Sequence, residues 1–338
     1  MSLHARIAAQ VPVTLLTGFL GAGKTTLLNR ILSEEHNQRI AVIENEFGEA
    51  GVDSELLVNS EEQVVEMNNG CICCTVRGDL VRILGQLAER RDAGEIRFDR
   101  VIIETTGLAD PAPVAQTFFV DETIGSYYRL DAIVTVVDAL HAQQQLDAHH
   151  EAQEQVGFAD RILLSKTDLV TPAAAEALVT RLQSINARAP ISAVHFGRAE
   201  IDRLLHVGGF SLDAILAIEP DFLDDVTHEH DDDISSFVFR ASRPIRAGKL
   251  EAFLSMMLTD YGNDMLRYKG VLDVAGVPAR VVFQGVHMMM GTNLGAPWRD
   301  GEARESLMVF IGRKLPKEQF LAGLEQCLTK EVATHEIR

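Results

Sequence analysis

The 338-residue chain is poor in cysteine, poor in positive charge, and without any apolar run as long as a membrane span. Its cysteines number four, too few and too unevenly placed for the disulfide framework of a small secreted domain. Three of them, Cys71, Cys73 and Cys74, crowd into four residues, which points to metal or redox chemistry rather than cross-linking. Lys and Arg total 31 against 49 Asp and Glu, a formal net charge of −18. Such a surface repels phosphate backbones and anionic lipid, so neither nucleic acid nor a membrane is expected as a partner. No stretch approaches the roughly 20 apolar residues that cross a bilayer. Residues 1–10 carry no apolar signal core, so a cytoplasmic protein is expected. With 46% hydrophobic residues, the length predicts an ordinary globular chain of two domains.

What is present begins with Gly18-Phe19-Leu20-Gly21-Ala22-Gly23-Lys24-Thr25. The apolar run Val11 to Leu16 precedes it as a strand, and Leu27, Leu28, Ile31 and Leu32 follow at helical spacing. A strand, a glycine-rich loop and a helix in that order make a Walker A phosphate loop. Its backbone N–H groups can turn onto a polyphosphate, helped by the positive end of the new helix. Gly18, Gly21, Ala22, Gly23, Lys24, Thr25 and Thr26 are the expected nucleotide contacts, with Lys24 on the β- and γ-phosphates and the Thr25 hydroxyl on Mg²⁺.

Further strands are predicted at 40–43, 101–103, 133–137 and 162–164, with His195 and Phe196 ending a last one. Helical stripes lie between them, at Leu80 to Leu87 and Pro172 to Ala189. This alternation predicts an α/β domain, its mainly parallel sheet covered by helices on both faces and its ligands at the carboxyl ends of the strands. Residues 1–210 are assigned to it. Between Glu219 and Asp233 there are eight acidic residues, no Lys or Arg, and His228 and His230. Residues 211–233 therefore read as a solvated acidic linker, with a labile metal site on the two histidines as the alternative. Over 234–338, a strand, a helix, three strands and a helix predict a small α+β domain. Its His287 and Met288 to Met290 read as packed strand rather than a soft-metal patch.

Four more segments carry chemistry. Glu44-Asn45-Glu46-Phe47-Gly48-Glu49 places three carboxylates in six residues after the second strand, suited to water, Mg²⁺ or a transition metal in a switch loop. Glu104-Thr105-Thr106-Gly107 ends the 101–103 strand. There Glu104 can serve the Mg²⁺ shell, and Gly107 can offer its N–H to a γ-phosphate. Ser165-Lys166-Thr167-Asp168 follows another strand. Asp168 can accept from guanine N1–H and the exocyclic amine, which adenine cannot reproduce. The last is Cys71-Ile72-Cys73-Cys74. In extended chain Cys71 and Cys73 point the same way and can share an ion, whereas Cys74 needs a bend to join them. Glu44 or Glu49 would complete the set, and buried structural cysteines are the plainer alternative. His149, His150 and Glu154 read as a solvated helix face.

Together these motifs resemble the CobW/YjiA-type P-loop GTPases. The resemblance runs through Gly18–Thr25, Glu44–Glu49, Cys71–Cys74, Glu104–Gly107 and Ser165–Asp168, and on to Arg267-Tyr268-Lys269-Gly270 in the C-terminal domain. It implies Mg²⁺-dependent GTP hydrolysis and binding of zinc, with cobalt or nickel as further cargo. It also implies delivery of that metal to a client metalloprotein, and it leaves room for a nucleotide- or metal-dependent homo-oligomer. Carried over to this chain, the metal ligands come from Glu44, Glu49 and Cys73, with Cys71 and Cys74 nearby. Ser165 stands where the family has Asn, removing one amide from the base-reading motif. Glu46 and Glu44 are the candidates for orienting the attacking water. Two rivals are a nucleotide-bound metal sensor or buffer with negligible turnover and an ATP-dependent small-molecule kinase.

Overall fold

The structure, a computed structural model, describes residues 10–34, 38–45, 63–67, 74–197, 204–205, 233–299 and 301–330. These fall into two compact units, one running to Leu205 and one starting at Asp233. The 211–232 part of the acidic segment, with His228 and His230, lies outside the described residues.

In the first unit seven strands form one sheet in the order β3-β2-β4-β1-β5-β6-β7. They are β1 (Val11–Thr17), β2 (Ile40–Asn45), β3 (Gln63–Met67), β4 (Arg100–Glu104), β5 (Tyr128–Asp138), β6 (Arg161–Ser165) and β7 (Ile191–Ala193). All six neighbour pairs are parallel. Successive strand side chains face opposite ways, yet all five residues of β4 are buried, so both faces of the sheet are covered. Among the described residues the unit's α-helices are α1 (Lys24–Ser33), α2 (Cys74–Asp92), α3 (Ala112–Val120), α4 (Glu122–Tyr127), α5 (Ala142–Ala148), α6 (His150–Phe158) and α7 (Pro172–Ile185). On α1, Leu27, Leu28, Ile31 and Leu32 pack into one core with Leu16, Val42, Ile102 and Val134. Each such burial is worth about 1.5–3 kcal/mol and fixes the angle at which the phosphate loop leaves β1. At the amino-terminal end of the central strand β4, Arg100 is buried with its Nη1 2.8 Å from both Asp131 Oδ2 and Thr14 Oγ1.

Several boundaries differ from the sequence reading; the last strand, β7, ends at Ala193 rather than at His195 and Phe196. The edge strand β3 was not foreseen, because Gln63-Val64-Val65-Glu66-Met67 is short and not apolar enough to stand out. Helix α2 begins at Cys74, not near Asp79. Helix α7 stops at Ile185 rather than Ala189 because the buried Asn186 caps it. Its Nδ2 donates to Val156 O and Ala159 O, both at 2.9 Å, and its Oδ1 accepts from Arg188 and Ala189 N–H at 3.2 Å.

The second unit is a five-stranded antiparallel sheet in the order β11-β10-β9-β12-β8. Its strands are β8 (Ile234–Ala241), β9 (Arg267–Leu272), β10 (Ala279–Val286), β11 (Met289–Pro297) and β12 (Ser306–Arg313). Helices α8 (Ala247–Tyr261) and α9 (Lys317–Cys327) contribute Leu250, Phe253, Met257, Phe320 and Leu324 to its core. Four strands separate the helices where three were expected. His287, with φ 49°, turns the chain into a hairpin, so β10 and β11 are two strands. A turn without Gly, Pro or Asn is hard to foresee. Met288 and Met290 are 53% and 39% exposed rather than packed. Tyr268 of the Arg267–Gly270 motif pins this turn, its hydroxyl donating toward His287 O (3.0 Å) and Met289 O (2.8 Å).

Candidate functional site

The carboxyl end of β1 delivers the chain into the phosphate loop. Gly18 sits at φ 143°, where an added Cβ would lie 2.2 Å from Val136 O, so no larger residue fits. Ala22 N–H donates to Phe19 O at 3.2 Å, closing the loop. Gly23 is the N-cap of α1, with no acidic residue in the first turn. The first N–H groups of a helix lack intrahelical partners and carry its positive end, so they converge with the loop amides on an anion. Lys24 Nζ is buried over the same hollow, 2.8 Å from Gly18 O and 3.4 Å from Phe19 O.

Thr25 Oγ1 donates to Glu104 Oε1 at 3.0 Å, joining the loop to the end of β4. The strand register pairs Glu104 with Leu16 on one side and Glu44 on the other. Partners in parallel strands project to the same face, so Glu44 and Glu104, 5% and 9% exposed, form a buried acidic pair. A hydroxyl and a carboxylate at hydrogen-bond distance are the hard oxygen donors that suit Mg²⁺. Thr106 Oγ1 is also buried here with no partner among the described residues, a polar atom held where a ligand would satisfy it. The sequence reading did not single out its hydroxyl. The following loop touches the phosphate loop directly, since a Cβ on Gly107 would lie 2.6 Å from Leu20 N.

At the far end of the site, Ser165 Oγ lies 2.7 Å from Ala22 O and 3.2 Å from Val137 O. The hydroxyl at this position therefore braces the phosphate loop, although the amide is absent. Lys166, at φ 56°, donates from Nζ to Asp138 Oδ2 at 2.7 Å. The buried Asp138 also accepts from His141 Nδ1 (2.9 Å) and Leu140 N–H (2.9 Å). Burial works against its charge, but these donors prevail and hold its pKa below the ordinary carboxylate value. Asp168 stays accessible at 44%, with His195 Nδ1 3.4 Å from its Oδ1. Asp138, His141 and His195 were not foreseen as neighbours of this motif, because the contacts link segments of separate strands.

The structure thus brings together Gly18, Gly21, Ala22, Gly23, Lys24, Thr25, Thr26, Glu44, Glu104 and Gly107, with Lys166 and Asp168 on β6's carboxyl end. Glu46, Glu49, Cys71 and Cys73 lie outside the described residues, as does the side chain of Cys74. Among the described residues no group of three or more His, Cys, Asp or Glu is placed to hold a metal ion. His149 and His150 are exposed, as the solvated-face reading expects; His149, however, precedes the helix. It is the N-cap of α6, its ring 4.7 Å from that of Phe19 in the phosphate loop. No helix among the described residues is long and apolar enough to cross a membrane.

The family described as CobW/HypB/UreG, nucleotide-binding domain, matches residues 12–193, and the cobalamin synthesis protein cobW C-terminal domain matches residues 234–328. The chain is 44% identical over 314 residues to the zinc chaperone YjiA of Escherichia coli (strain K12), covering 93% of this chain and 97% of that protein. It is 32% identical over 311 residues to the zinc-regulated GTPase metalloprotein activator 1 of Dictyostelium discoideum, covering 80% and 64%. The crystal structure of Zn(II)-bound YjiA GTPase from E. coli matches with a TM-score of 0.76 at 39% identity, over 95% of this chain and 99% of that one. Matched across both units, and carrying the phosphate loop, the Glu104 loop and the base motif in one site, the chain belongs to the CobW/HypB/UreG family.

Proposed function

We propose that this protein is a Mg²⁺-dependent GTPase that couples its nucleotide state to binding zinc, or a similar transition metal, and to handing it to a client metalloprotein in the cytoplasm. The observation that carries the reading is the Thr25–Glu104 contact at the phosphate loop, with Glu44 buried beside it. One carboxylate faces the nucleotide while its neighbour belongs to the segment expected to hold the transition metal. The name and zinc-bound crystal form of the E. coli relative support zinc as the cargo.

In this reading the amides of Gly18, Gly21, Ala22 and Gly23, with Thr26, cradle the phosphates while Asp168 selects guanine. A bound Mg²⁺ would offset charge developing on the β- and γ-phosphate oxygens. Lys24 leaves the Gly18 and Phe19 carbonyls for the γ-phosphate, where its charge counts most as the transition state forms. Gly107 N–H meets the same phosphate. Water attacks the γ-phosphorus, with Glu46 or Glu44 orienting it, and the bond to the β-phosphate breaks to give GDP and phosphate. No arginine finger is evident in the sequence motifs, so slow turnover is expected, on the order of 10⁻⁴ to 10⁻² s⁻¹. Cargo zinc is held by Cys71, Cys73 and Cys74 with Glu44 and Glu49. The nucleotide domain is assigned to 1–210, the acidic linker to 211–233 and the C-terminal domain to 234–338.

The test is a zinc titration, with a competing chelator, of apo, GDP-bound and GTP-analogue-bound protein, beside multiple-turnover phosphate release. Zinc affinity should differ between nucleotide states by about 5- to 150-fold. The Cys71, Cys73 and Cys74 triple serine variant should lose zinc and keep hydrolysis. Equal zinc affinity in all states would leave a GTPase that merely carries metal, and no multiple turnover would leave a sensor or buffer. A preference for ATP together with an acceptor requirement would make it a kinase.

A further inference from the structure

We propose that Gln155 is the positioning residue of the γ-phosphate loop: its side-chain amide holds residues 107–109 in the pose that aims the Gly107 N–H at the nucleotide. This rests on the reading of Gly107 given above.

Gln155 lies on α6, more than forty residues along the chain from the loop, and is only 1% exposed. Its Nε2 donates to Gly107 O (3.2 Å) and to Ala109 O (3.0 Å). Two carbonyls at one atom identify that atom as the nitrogen, since a primary amide has two N–H donors and its oxygen none. The helix backbone behind it is fixed in turn, because Thr135 Oγ1 on β5 donates to Gln155 O at 2.7 Å. A glutamine carries several rotatable bonds, and freezing it inside a core is unfavourable unless its polar atoms are satisfied. Here the donor nitrogen is satisfied by the backbone of a loop.

The consequence for Gly107 follows from peptide geometry. Thr106 O accepts from Ala109 N–H at 3.2 Å, which fixes the plane of the Thr106–Gly107 peptide. In a trans peptide the N–H points opposite to the C=O, so the Gly107 N–H is turned outward from this small turn. Gln155 fixes the next plane by holding Gly107 O. Both planes flanking Gly107 are therefore set before any ligand arrives. The loop also has little freedom on its other side, where Gly107 meets the Leu20 backbone. A preset donor loses less freedom when the phosphate binds, so the amide favours GTP over GDP without touching either.

The test is Gln155→Met in the full chain, an unbranched replacement that fills the space and donates nothing, beside Gln155→Glu. Dissociation constants for GDP and for a non-hydrolysable GTP analogue are measured with single-turnover hydrolysis and thermal melts. GDP affinity should stay within about twofold, while analogue affinity falls about 5- to 20-fold, as two amide hydrogen bonds allow. Single-turnover hydrolysis should fall by a similar factor. Equal weakening of both nucleotides, an unchanged affinity ratio, or failure of both variants to fold would make Gln155 an ordinary core residue and overturn the proposal. Gly107→Ala separates this from the reading beneath it. If that variant leaves the ratio intact, Gly107 does not contact the γ-phosphate and both ideas fall. If it lowers the ratio while Gln155→Met does not, only the role of Gln155 is lost.

Discussion

Replacing Asp138 with asparagine should destabilise the first unit by about 2 kcal/mol at neutral pH, and the loss should fade in acid. Asp138 ends β5 with 1% exposure, and its Oδ2 receives Lys166 Nζ and His141 Nδ1 while Oδ1 receives the Leu140 N–H. Asparagine preserves the shape and one acceptor but loses the charge, and its NH₂ has to face one of the donors. Hydrogen bonds to a charged group are worth about 1.5–3 kcal/mol each. The Lys166 and His141 side chains are 36% and 53% exposed, so water replaces part of what they lose. About 2 kcal/mol in total is what remains. The sign with pH follows from the depressed carboxyl pKa. Stability from Asp138 is complete above its unfolded value of about 3.9 and is lost as pH falls through the lower folded value. Urea unfolding of both proteins should show a constant gap from pH 8 to about 5 that closes below about 3.9. Released from its anchor, Lys166 should also let GTP affinity fall about fivefold. Equal stability at pH 7, or a gap that persists in strong acid, would refute the argument.

Ser165→Ala removes the brace to Ala22 O and should weaken GTP and GDP alike by about 2- to 10-fold, read by equilibrium binding. Because the deleted hydroxyl touches the phosphate loop and not the base, the preference for guanine over adenine should survive. Lys24→Ala should lower hydrolysis at least about 100-fold, while zinc affinity of the nucleotide-free protein stays within about twofold, since Lys24 is assigned to phosphate and its Nζ lies against the Gly18 and Phe19 carbonyls. Arg100→Ala strands the buried Asp131, leaving it Arg129 at 3.2 Å, and should cost about 3–5 kcal/mol in urea unfolding. Arg100 opens β4 and Glu104 closes it, so nucleotide affinity of the folded fraction should not change.

Much of the geometry of the candidate nucleotide site is legible in the sequence because each part of it is local. Gly18 to Thr25 is one uninterrupted segment, and its φ values and close approach to Val136 explain why glycine stands there. Glu104 and Asp168 were legible because each follows an apolar strand, and a parallel sheet gathers the ends of its strands. The supporting contacts were not legible. Gln155 and Asn186 read as polar residues in or after helices, and nothing local shows that their amides are 1% and 0% exposed and hold distant carbonyls. Ser165 was read as a missing contact because an Asn-to-Ser change suggests loss, whereas the shorter side chain still reaches Ala22 O. The hairpin at His287 escaped notice for a related reason. Its positive φ is imposed by the flanking strands and by Tyr268 rather than by a turn-forming residue.

The register of β2 against β4 bears directly on how two cations could influence each other. Adjacent strands lie about 4.8 Å apart, and Glu44 and Glu104 are register partners, both buried. Two carboxylates at about 5 Å repel by about 3 kcal/mol at an effective permittivity near 20. A cation bound beside either carboxylate relieves that repulsion. On the proposed reading, a Mg²⁺ at Thr25 and Glu104 would relieve that repulsion and so favour a zinc ion at Glu44. The same Mg²⁺ also repels a second divalent ion, which opposes zinc. These two effects oppose one another, and the coupling between the sites is expected in the range of about 1–3 kcal/mol usual for linked sites. Linkage then requires reciprocity, and any factor by which nucleotide alters zinc affinity is the factor by which zinc alters nucleotide affinity. On the proposed reading, hydrolysis would change only the γ-phosphate end of this arrangement, and Glu44 is the carboxylate proposed to carry that change to the metal.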